Sequence, residues 1–161
     1  MLSLRALTIA NIDEVFAVYA DLPRFFTLLT GEPAVPRAYV EEEISVGPPG
    51  HEKMFLGVYE GAELLGVVDI LPSYPTVGRA WIGVFLIAER HHRRGLGRAG
   101  VALVENLARE RGALEVSLGV ELVNTSGRAF WAACGYRPTG EQFETEVLGK
   151  ALRAEVLRKQ L

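Results

Sequence analysis

The sequence has little of the chemistry that holds disulfide-rich or zinc-binding domains together. It contains one cysteine and three histidines, so it forms no intrachain disulfide and offers no Cys/His spacing typical of a zinc site. No apolar run approaches the length of a membrane-spanning helix, and the N-terminus lacks a charged leader followed by a long apolar segment. The formal net charge of -3 provides no overall field that favours nucleic acid. These absences predict a cytoplasmic protein with no metal, no membrane partner and no nucleic-acid partner.

What the chain does contain is enough apolar sequence for one globular core. Its 161 residues are 49% hydrophobic and 23% charged, which fits a single domain over residues 1–161 better than two. Hydrophobic periodicity and turn residues define the elements. The predicted order is a strand over 2–8, helices over 11–20 and 36–46, strands over 54–59, 64–70 and 78–88, a helix over 97–111, a strand over 114–120, a helix over 124–133, and strands over 136–145 and 154–159.

A basic, glycine-rich segment joins an apolar predicted strand to the best-defined predicted helix. Residues 91–98 read His-His-Arg-Arg-Gly-Leu-Gly-Arg. Gly95 and Gly97 remove the Cβ atoms that would block a close approach, so successive backbone N–H groups can converge on phosphate oxygens at the positive end of the helix dipole. A basic run on its own is more often a solvated loop, but the flanking strand and helix favour a pyrophosphate-binding loop.

The same glycines also match the G-x-G-x-x-G fingerprint of dinucleotide-binding proteins. A Rossmann loop leaves its strand within a residue or two, whereas residues 89–94 intervene here. The upstream strands also form a predicted antiparallel meander, and a Rossmann fold would alternate strands with helices. A Rossmann-type dinucleotide-binding protein is therefore the distant alternative.

Taken together, the motifs resemble the GNAT superfamily of acyl-CoA-dependent N-acetyltransferases. The pyrophosphate signature of that family, Arg/Gln-x-x-Gly-x-Gly/Ala, falls on residues 92–97, with His92 in place of Arg or Gln. A second signature, an asparagine, an aromatic residue seven positions later and then Gly-Phe/Tyr, falls on Asn124, Trp131 and Gly135-Tyr136. The resemblance spans essentially the whole chain. It implies an α+β (mixed α/β) GNAT fold, in which a mostly antiparallel sheet of six to seven strands splays between strands 4 and 5 and is flanked by about four helices.

The resemblance also implies how acetyl-CoA, the donor substrate, binds. In the family the pantetheine arm pairs with the fourth strand as an extra strand, which assigns backbone contacts to Phe85 and Ile87 and makes the Ile87 N–H the oxyanion donor. The amides and side chains of the basic loop then surround the pyrophosphate. The implied cofactor-binding residues are Phe85, Leu86, Ile87, His92, Arg93, Arg94, Gly95, Leu96, Gly97, Arg98, Asn124, Arg128 and Trp131.

Both positions that usually carry protons in the family hold a tryptophan here. Trp131 stands where many members have a tyrosine acid, and an indole N–H cannot fill that role at ordinary pH. Trp81 stands where histone-type members have a glutamate base. Asp69 and Glu121 are candidate bases, Tyr136 is a candidate acid, and a water chain is an alternative proton acceptor. Two of these residues also have a purely structural interpretation: Asp69 as a solvent-facing strand residue, and Tyr136 as a core residue.

The resemblance implies an amine as the acceptor, entering between the first two helices, the loop over 71–79 and the end of the sixth strand. Tyr39, Tyr74 and Trp81 would make this region aromatic. Glu41–Glu43 would attract an amine or simply form a solvated helix face. A small-molecule primary amine is favoured over a protein, with the enzyme a monomer or homodimer. The alternative from another class is a catalytically weak acyl-CoA-binding regulatory protein, which the two missing proton-carrying groups favour.

Overall fold

One mixed sheet of seven strands organises the molecule. The computed structural model describes all 161 residues, and its strand order is β1-β2-β3-β4-β5-β7-β6. All neighbouring strands are antiparallel except β4 and β5, which are parallel. The strands are β1 (Leu2–Ala6), β2 (Met54–Glu60), β3 (Glu63–Leu71), β4 (Arg79–Ile87), β5 (Glu115–Glu121), β6 (Arg137–Val147) and β7 (Lys150–Gln160). The helices are α1 (Ile12–Ala20), α2 (Pro23–Thr30), α3 (Arg37–Ser45), α4 (Leu96–Glu110) and α5 (Thr125–Ala133).

Helix α2 is the one α-helix that the sequence analysis did not predict, and it brings the number of α-helices that flank the sheet to five. Its sequence carries the signals of a short helix: Pro23 lies in the first turn, Phe26 and Leu29 are buried one turn apart, and Gly31 ends it with a left-handed φ of 84°. None of the helices combines the length and apolar composition needed to span a membrane.

The sheet separates two hydrophobic cores. On one side, α4 buries Val101, Val104 and Ala108 against the sheet, in a core that also contains Trp131 of α5. On the other side, α1, α2 and α3 form a second core, with Val15, Phe26 and Val40 among its buried residues. The helices that follow the basic loop and the helices expected at the acceptor entrance therefore lie on opposite faces of the sheet.

Glu105 of α4 is a charged residue that is almost fully buried. It is 5% exposed. Lys159 Nζ lies 2.9 and 3.1 Å from its two carboxylate oxygens, and the Tyr136 hydroxyl donates to Oε1 at 3.2 Å. A carboxylate can be buried here because it is paired and hydrogen-bonded.

Candidate active site between two parallel strands

The parallel strands β4 and β5 pair over about half of their length. The ladder joins Arg79–Ile82 to Glu115–Leu118. Beyond these residues β4 pairs with β3, and β5 with β7. A cavity of about 230 Å³, here called the gap cavity, is lined by residues 82–86 of β4 and 118–121 of β5. This arrangement is consistent with the splay that the family resemblance implies.

A β-bulge next to the gap changes which side chains of β4 face each core. The register of the β3–β4 pair shifts between Asp69 and Ile70, which leaves Gly83 without a partner residue. Ile82 and Phe85 consequently both lie on the α4 side of the sheet, although they are three residues apart. In an uninterrupted strand they would point to opposite faces. The bulge thus re-aims β4 beside the gap, a common use of bulges at active sites.

The backbone of Ile87 is directed into the gap. The Ala88 N–H donates to the Leu65 carbonyl at 2.9 Å. Because residues of an antiparallel pair alternate between bonding to the partner strand and pointing away from it, Phe85 and Ile87 turn their N–H and C=O groups away from β3 and toward β5. The Ile87 carbonyl lies 2.6 Å from Nε2 of His92. The Ile87 N–H therefore faces the space in which a thioester oxygen would lie.

Six successive backbone N–H groups, from Arg93 to Arg98, have no acceptor within the protein. The first helical bond at this end of α4 runs from Ala99 N to Gly95 O at 3.2 Å, and no side chain caps the helix. Arg93 and Gly95 have left-handed φ values of 61° and 73°, which turn the loop into a concave run of donors. Unsatisfied donors at the positive end of a 15-residue helix form an anion site.

The side chains around this loop leave room and positive charge for a pyrophosphate. Arg93 and Arg98 form no ion pair, whereas Arg94 Nη2 lies 3.8 Å from Glu60. A Cβ at Gly95 would meet no atom within 4 Å, so the space above the loop is open. A Cβ at Gly97 would lie 2.9 Å from Cε1 of Phe130 in α5, so a glycine is required where the two helices meet. The residues present fit the diphosphate of CoA.

The other residues implied for CoA binding are placed in different ways. Asn124 and Trp131 line the gap cavity, and Asn124 also caps α5 by accepting from the Gly127 N–H at 3.0 Å. The Arg128 guanidinium instead bonds to Glu155 at 2.8 Å. The His92 ring lies on the Ile87 carbonyl, and the His92 N–H donates to the Glu89 carbonyl at 3.0 Å. The side chains of Arg128 and His92 therefore both have partners within the protein, Glu155 and the Ile87 carbonyl.

The gap cavity is acidic. Glu43, Glu121 and Glu146 line it, and no lysine, arginine or histidine does. Burial raises the pKa of Glu121 above its usual value. Burial also raises the pKa of Glu43, an effect that Lys53 opposes and Asp69 reinforces. Two half-buried carboxyl groups, with no cation among the residues that line the cavity, are suited to a cationic ligand.

Asp69, a sequence-predicted base, lies behind the wall of the gap cavity. Its Oδ2 is 3.1 Å from Lys53 Nζ, and its buried Oδ1 has no hydrogen-bond partner. Burial raises its pKa, while Lys53 acts in the opposite direction. A Cβ at Gly83 would lie 3.3 Å from Asp69 Cγ, so Gly83 alone separates this carboxyl group from the cavity.

Tyr136, the sequence-predicted acid, belongs to the core and does not line the gap cavity. Its hydroxyl donates to Glu105, and burial, followed by the charge of Glu105, raises its pKa. A hydroxyl so placed is a poor proton donor to a thiolate in the gap. The placement favours the structural interpretation of Tyr136.

The three aromatic residues expected in the acceptor pocket fall into two cavities. Tyr39 lines the gap cavity together with Tyr19 and Phe25 from α1 and α2. Tyr74 and Trp81 line a second cavity on the sheet. The structure therefore does not bring the three residues into one pocket.

Sequence reasoning missed Glu43 as an individual site residue because it treated Glu41–Glu43 as one charged face. In α3, Val40 and Ile44 are buried, so Tyr39 and Glu43, which are also four residues apart, share an adjoining face. Tyr39 and Glu43 both line the gap cavity, and burial, followed by the negative charge of Glu43, raises the pKa of Tyr39. The four-residue spacing of Tyr39 and Glu43 is the signal in the sequence that could have identified Glu43.

Comparison with known proteins agrees with this geometry. The sequence pattern of the acetyltransferase (GNAT) family matches residues 16–136. Human N-acetyltransferase 8 is 27% identical over 128 residues, which are 78% of this chain and 51% of that protein. The chain thus spans about half the length of this curated relative.

Solved structures show the same fold over nearly the whole chain. An acetyltransferase from Thermus thermophilus has a TM-score of 0.78 and 24% identity, covering 100% of this chain and 97% of that chain. The PaiA N-acetyltransferase of Thermoplasma acidophilum, in complex with coenzyme A, has a TM-score of 0.68 and 15% identity, covering 100% and 99%. Spermidine N-acetyltransferase from Vibrio cholerae, in complex with CoA and spermine, has a TM-score of 0.74 and 17% identity, covering 99% and 95%. The family match, which extends through the strand gap and the loop of free amides, shows that this chain belongs to the GNAT family of acetyltransferases, for which acetyl-CoA is the donor.

Proposed function

We propose that this protein transfers the acetyl group of acetyl-CoA directly to a primary amine of a small molecule within a ternary complex. The observation that carries the proposal is the meeting of two features at one gap. The backbone of Ile87 faces the gap from β4, and a cavity lined by three carboxylates and no cation adjoins it. The backbone of Ile87 suits a thioester oxygen, and the acidic cavity suits an amine.

On the donor side, the free amides of residues 93–98 bind the pyrophosphate, with Arg93 and Arg98 adding positive charge. The pantetheine arm then extends along β4 and bonds to the outward-facing backbone of Phe85 and Ile87. As the amine attacks, the Ile87 N–H stabilises the oxyanion, and one such donor contributes about 2.7–4 kcal/mol in analogous sites. Because this donor belongs to the main chain, substitution of the side chain does not remove it.

On the acceptor side, the carboxylates of the gap cavity attract an alkylammonium ion, and Glu121 removes its proton directly or through one water. The neutral nitrogen forms a bond to the carbonyl carbon, the carbon–sulfur bond breaks, and the nitrogen gives up its second proton to solvent while the thiolate of CoA takes one up. Glu43 and Tyr39 hold the amine from the opposite wall, and Asp69 adds negative charge from behind Gly83. A volume of about 230 Å³ suits a small amine, and the Vibrio cholerae protein of the same fold was solved with one, spermine.

The test is thiol release from acetyl-CoA across an amine panel, with mass spectrometry of the products. The panel contains alkylamines, amino acids, spermidine and a lysine-containing peptide. We expect thiol release and N-acetylation with at least one small amine, and less than one-tenth of that rate with the peptide. CoA binding by calorimetry without release for any amine would contradict the proposal. That outcome would support the acyl-CoA-binding alternative, which the tryptophan at position 131 favours.

A further inference from the structure

A second cavity, here called the arginine cavity, lies on the sheet face that also carries Glu121. Its volume is about 450 Å³. The floor is formed by Trp81 of β4, Ser117 of β5 and Arg158 of β7, which are neighbours in the ladders. Arg79 closes one end, and the exposed Glu141 lies at the rim. The proposed transfer reaction does not use this cavity.

Two guanidinium groups in the arginine cavity each contact neighbouring side chains through their Nε atom. Arg79 Nε lies 2.7 Å from Glu115 Oε1. Arg158 Nε donates to Ser117 Oγ at 2.9 Å and lies 3.6 Å from Glu115 Oε1. The terminal Nη atoms of Arg79 and Arg158 donate no hydrogen bond within the protein, and the closest polar contact of each side chain is made through Nε. Guanidinium groups that are held in place and keep free N–H donors are suited to bind a carboxylate or a phosphate.

Aromatic rings enclose the remaining sides. Tyr74 and Trp81 contact edge to face with ring centroids 6.3 Å apart, and Trp81 and Phe143 lie 6.4 Å apart. Such walls exclude water around a flat or extended apolar segment. A ligand here would combine an apolar body with an anionic group.

The arginine cavity adjoins the gap cavity. Trp81 and Ser117 pair one residue before Ile82 and Leu118, the last pair before the gap. The ring of Phe143 lies on this face against Gly119, where a Cβ would be 2.5 Å from its Cζ atom. The gap-lining ends of β4 and β5 lie two to four residues further along the strands, which corresponds to about 7–13 Å at the rise of a β-strand. A single extended molecule can reach both cavities across the exposed Phe143 ring.

We infer that the acceptor is an elongated molecule with a primary amine at one end and an anionic group about 7–13 Å away, bound by Arg79 and Arg158. This inference rests on the proposed function, since the acidic gap cavity holds the amine. The carboxylates of the gap cavity and the guanidinium donors of the arginine cavity fix the orientation of such a molecule. A polyamine is disfavoured because its second cation would face the two arginines.

The test is a chain-length series of ω-amino carboxylates, from 4-aminobutyrate through 6-aminohexanoate to 8-aminooctanoate, each paired with the alkylamine of the same length. The measured quantity is the ratio of kcat/KM for the carboxylate to kcat/KM for the alkylamine. In the wild-type enzyme we expect this ratio to rise about tenfold or more for the longer members, because a charge-assisted hydrogen bond stabilises the complex by about 1.5–3 kcal/mol. R158Q should reduce the ratio about tenfold, and R79Q should act in the same direction.

Arg153→Gln is the matched control, since Arg153 is an exposed arginine of β7 whose Nε also bonds to a neighbour, Gln142, at 3.0 Å. It should leave the ratio within twofold of wild type. A wild-type ratio near one at every length, or an equal loss in R158Q and R153Q, would overturn the inference. If neither series releases thiol, the proposed function fails. Calorimetry of 8-aminooctanoate with CoA-saturated wild type and R158Q then decides the inference: weaker binding by R158Q supports it, and equal binding overturns it.

Discussion

At the scale of single residues, the proposed chemistry depends on a main-chain group that a side chain holds in place. The Ile87 N–H cannot be deleted by substitution, but the peptide that follows it is fixed by the contact between the Ile87 carbonyl and the His92 ring. This gives the histidine at the first position of the pyrophosphate signature a role other than phosphate binding. We therefore expect His92 to act as a positioning residue for the proposed oxyanion contact.

Replacing His92 with alanine tests this role. We expect kcat to fall about tenfold, which corresponds to about 1.4 kcal/mol of lost transition-state stabilisation, while KM for acetyl-CoA changes less than threefold. Steady-state kinetics with a small amine separates the two constants. His92→Gln retains an N–H donor for the carbonyl and should recover most of kcat. A large rise in KM with unchanged kcat would instead place His92 in CoA binding.

Glu121 provides a second prediction at this scale. A base must be ionised, and burial raises the pKa of Glu121, so kcat/KM should rise with pH through that elevated pKa and fall below it. Glu121→Gln should lower kcat/KM by about 100-fold at neutral pH and remove the acidic limb of the profile. Glu146→Gln, which changes an exposed carboxylate at the rim of the same cavity, should keep the limb. An unchanged limb in Glu121→Gln would transfer the base role to Glu43 or Asp69.

At the scale of elements, the start of α4 and the loop before it concentrate the free amides that we propose bind CoA. Its amides are free because Gly95 adopts a left-handed conformation and supplies no side-chain cap. A residue with a short polar side chain in place of Gly95 would accept hydrogen bonds from the free amides and occupy the anion site. The glycine therefore keeps the first turn available for a ligand.

Gly95→Ala and Gly112→Ala form a matched pair that separates binding from backbone strain. Both glycines have left-handed φ values, 73° and 87°, and at both a Cβ would meet no atom within 4 Å. Each substitution should cost about 1 kcal/mol of unfolding free energy. Only Gly95 lies within the run of free amides, so Gly95→Ala should weaken CoA binding about tenfold by calorimetry, whereas Gly112→Ala should leave it unchanged. Equal affinities for the two variants would contradict the phosphate site.

The donor half of the site could be predicted from the sequence better than the acceptor half, and the reason is physical. The loop over 91–98 is contiguous, so glycine spacing, charge and the adjoining helix revealed it directly. The acceptor half is assembled by tertiary packing. Glu43 of the third helix meets Glu121 of the fifth strand only because the sheet opens there, and Trp81 faces the second cavity, away from the gap.

At the scale of the whole molecule, the sheet separates the basic loop from the helices that surround the acidic cavity. The pyrophosphate loop begins α4 on one face, and α1, α2 and α3 enclose the acidic cavity from the other. Such a division lets the acceptor side place Glu43 and Glu121 in a desolvated cavity. Carboxylates in that setting oppose folding even as they serve binding and catalysis.

This conflict predicts a stability difference that depends on pH. A carboxyl group whose pKa is higher in the folded protein than in the unfolded chain binds its proton more tightly when folded. The free energy of unfolding therefore falls as pH rises from the unfolded pKa to the folded pKa, and the loss persists at higher pH. Because burial raises the pKa of Glu43, Glu43→Gln should raise the melting temperature at pH 7.5, and its advantage should shrink as the pH falls toward 4. Scanning calorimetry across this range measures the effect, with Glu42→Gln, an exposed neighbour on the same helix, expected to change little. A melting temperature lowered by Glu43→Gln at pH 7.5 would mean that Lys53 and Tyr39 stabilise the carboxylate by more than burial costs.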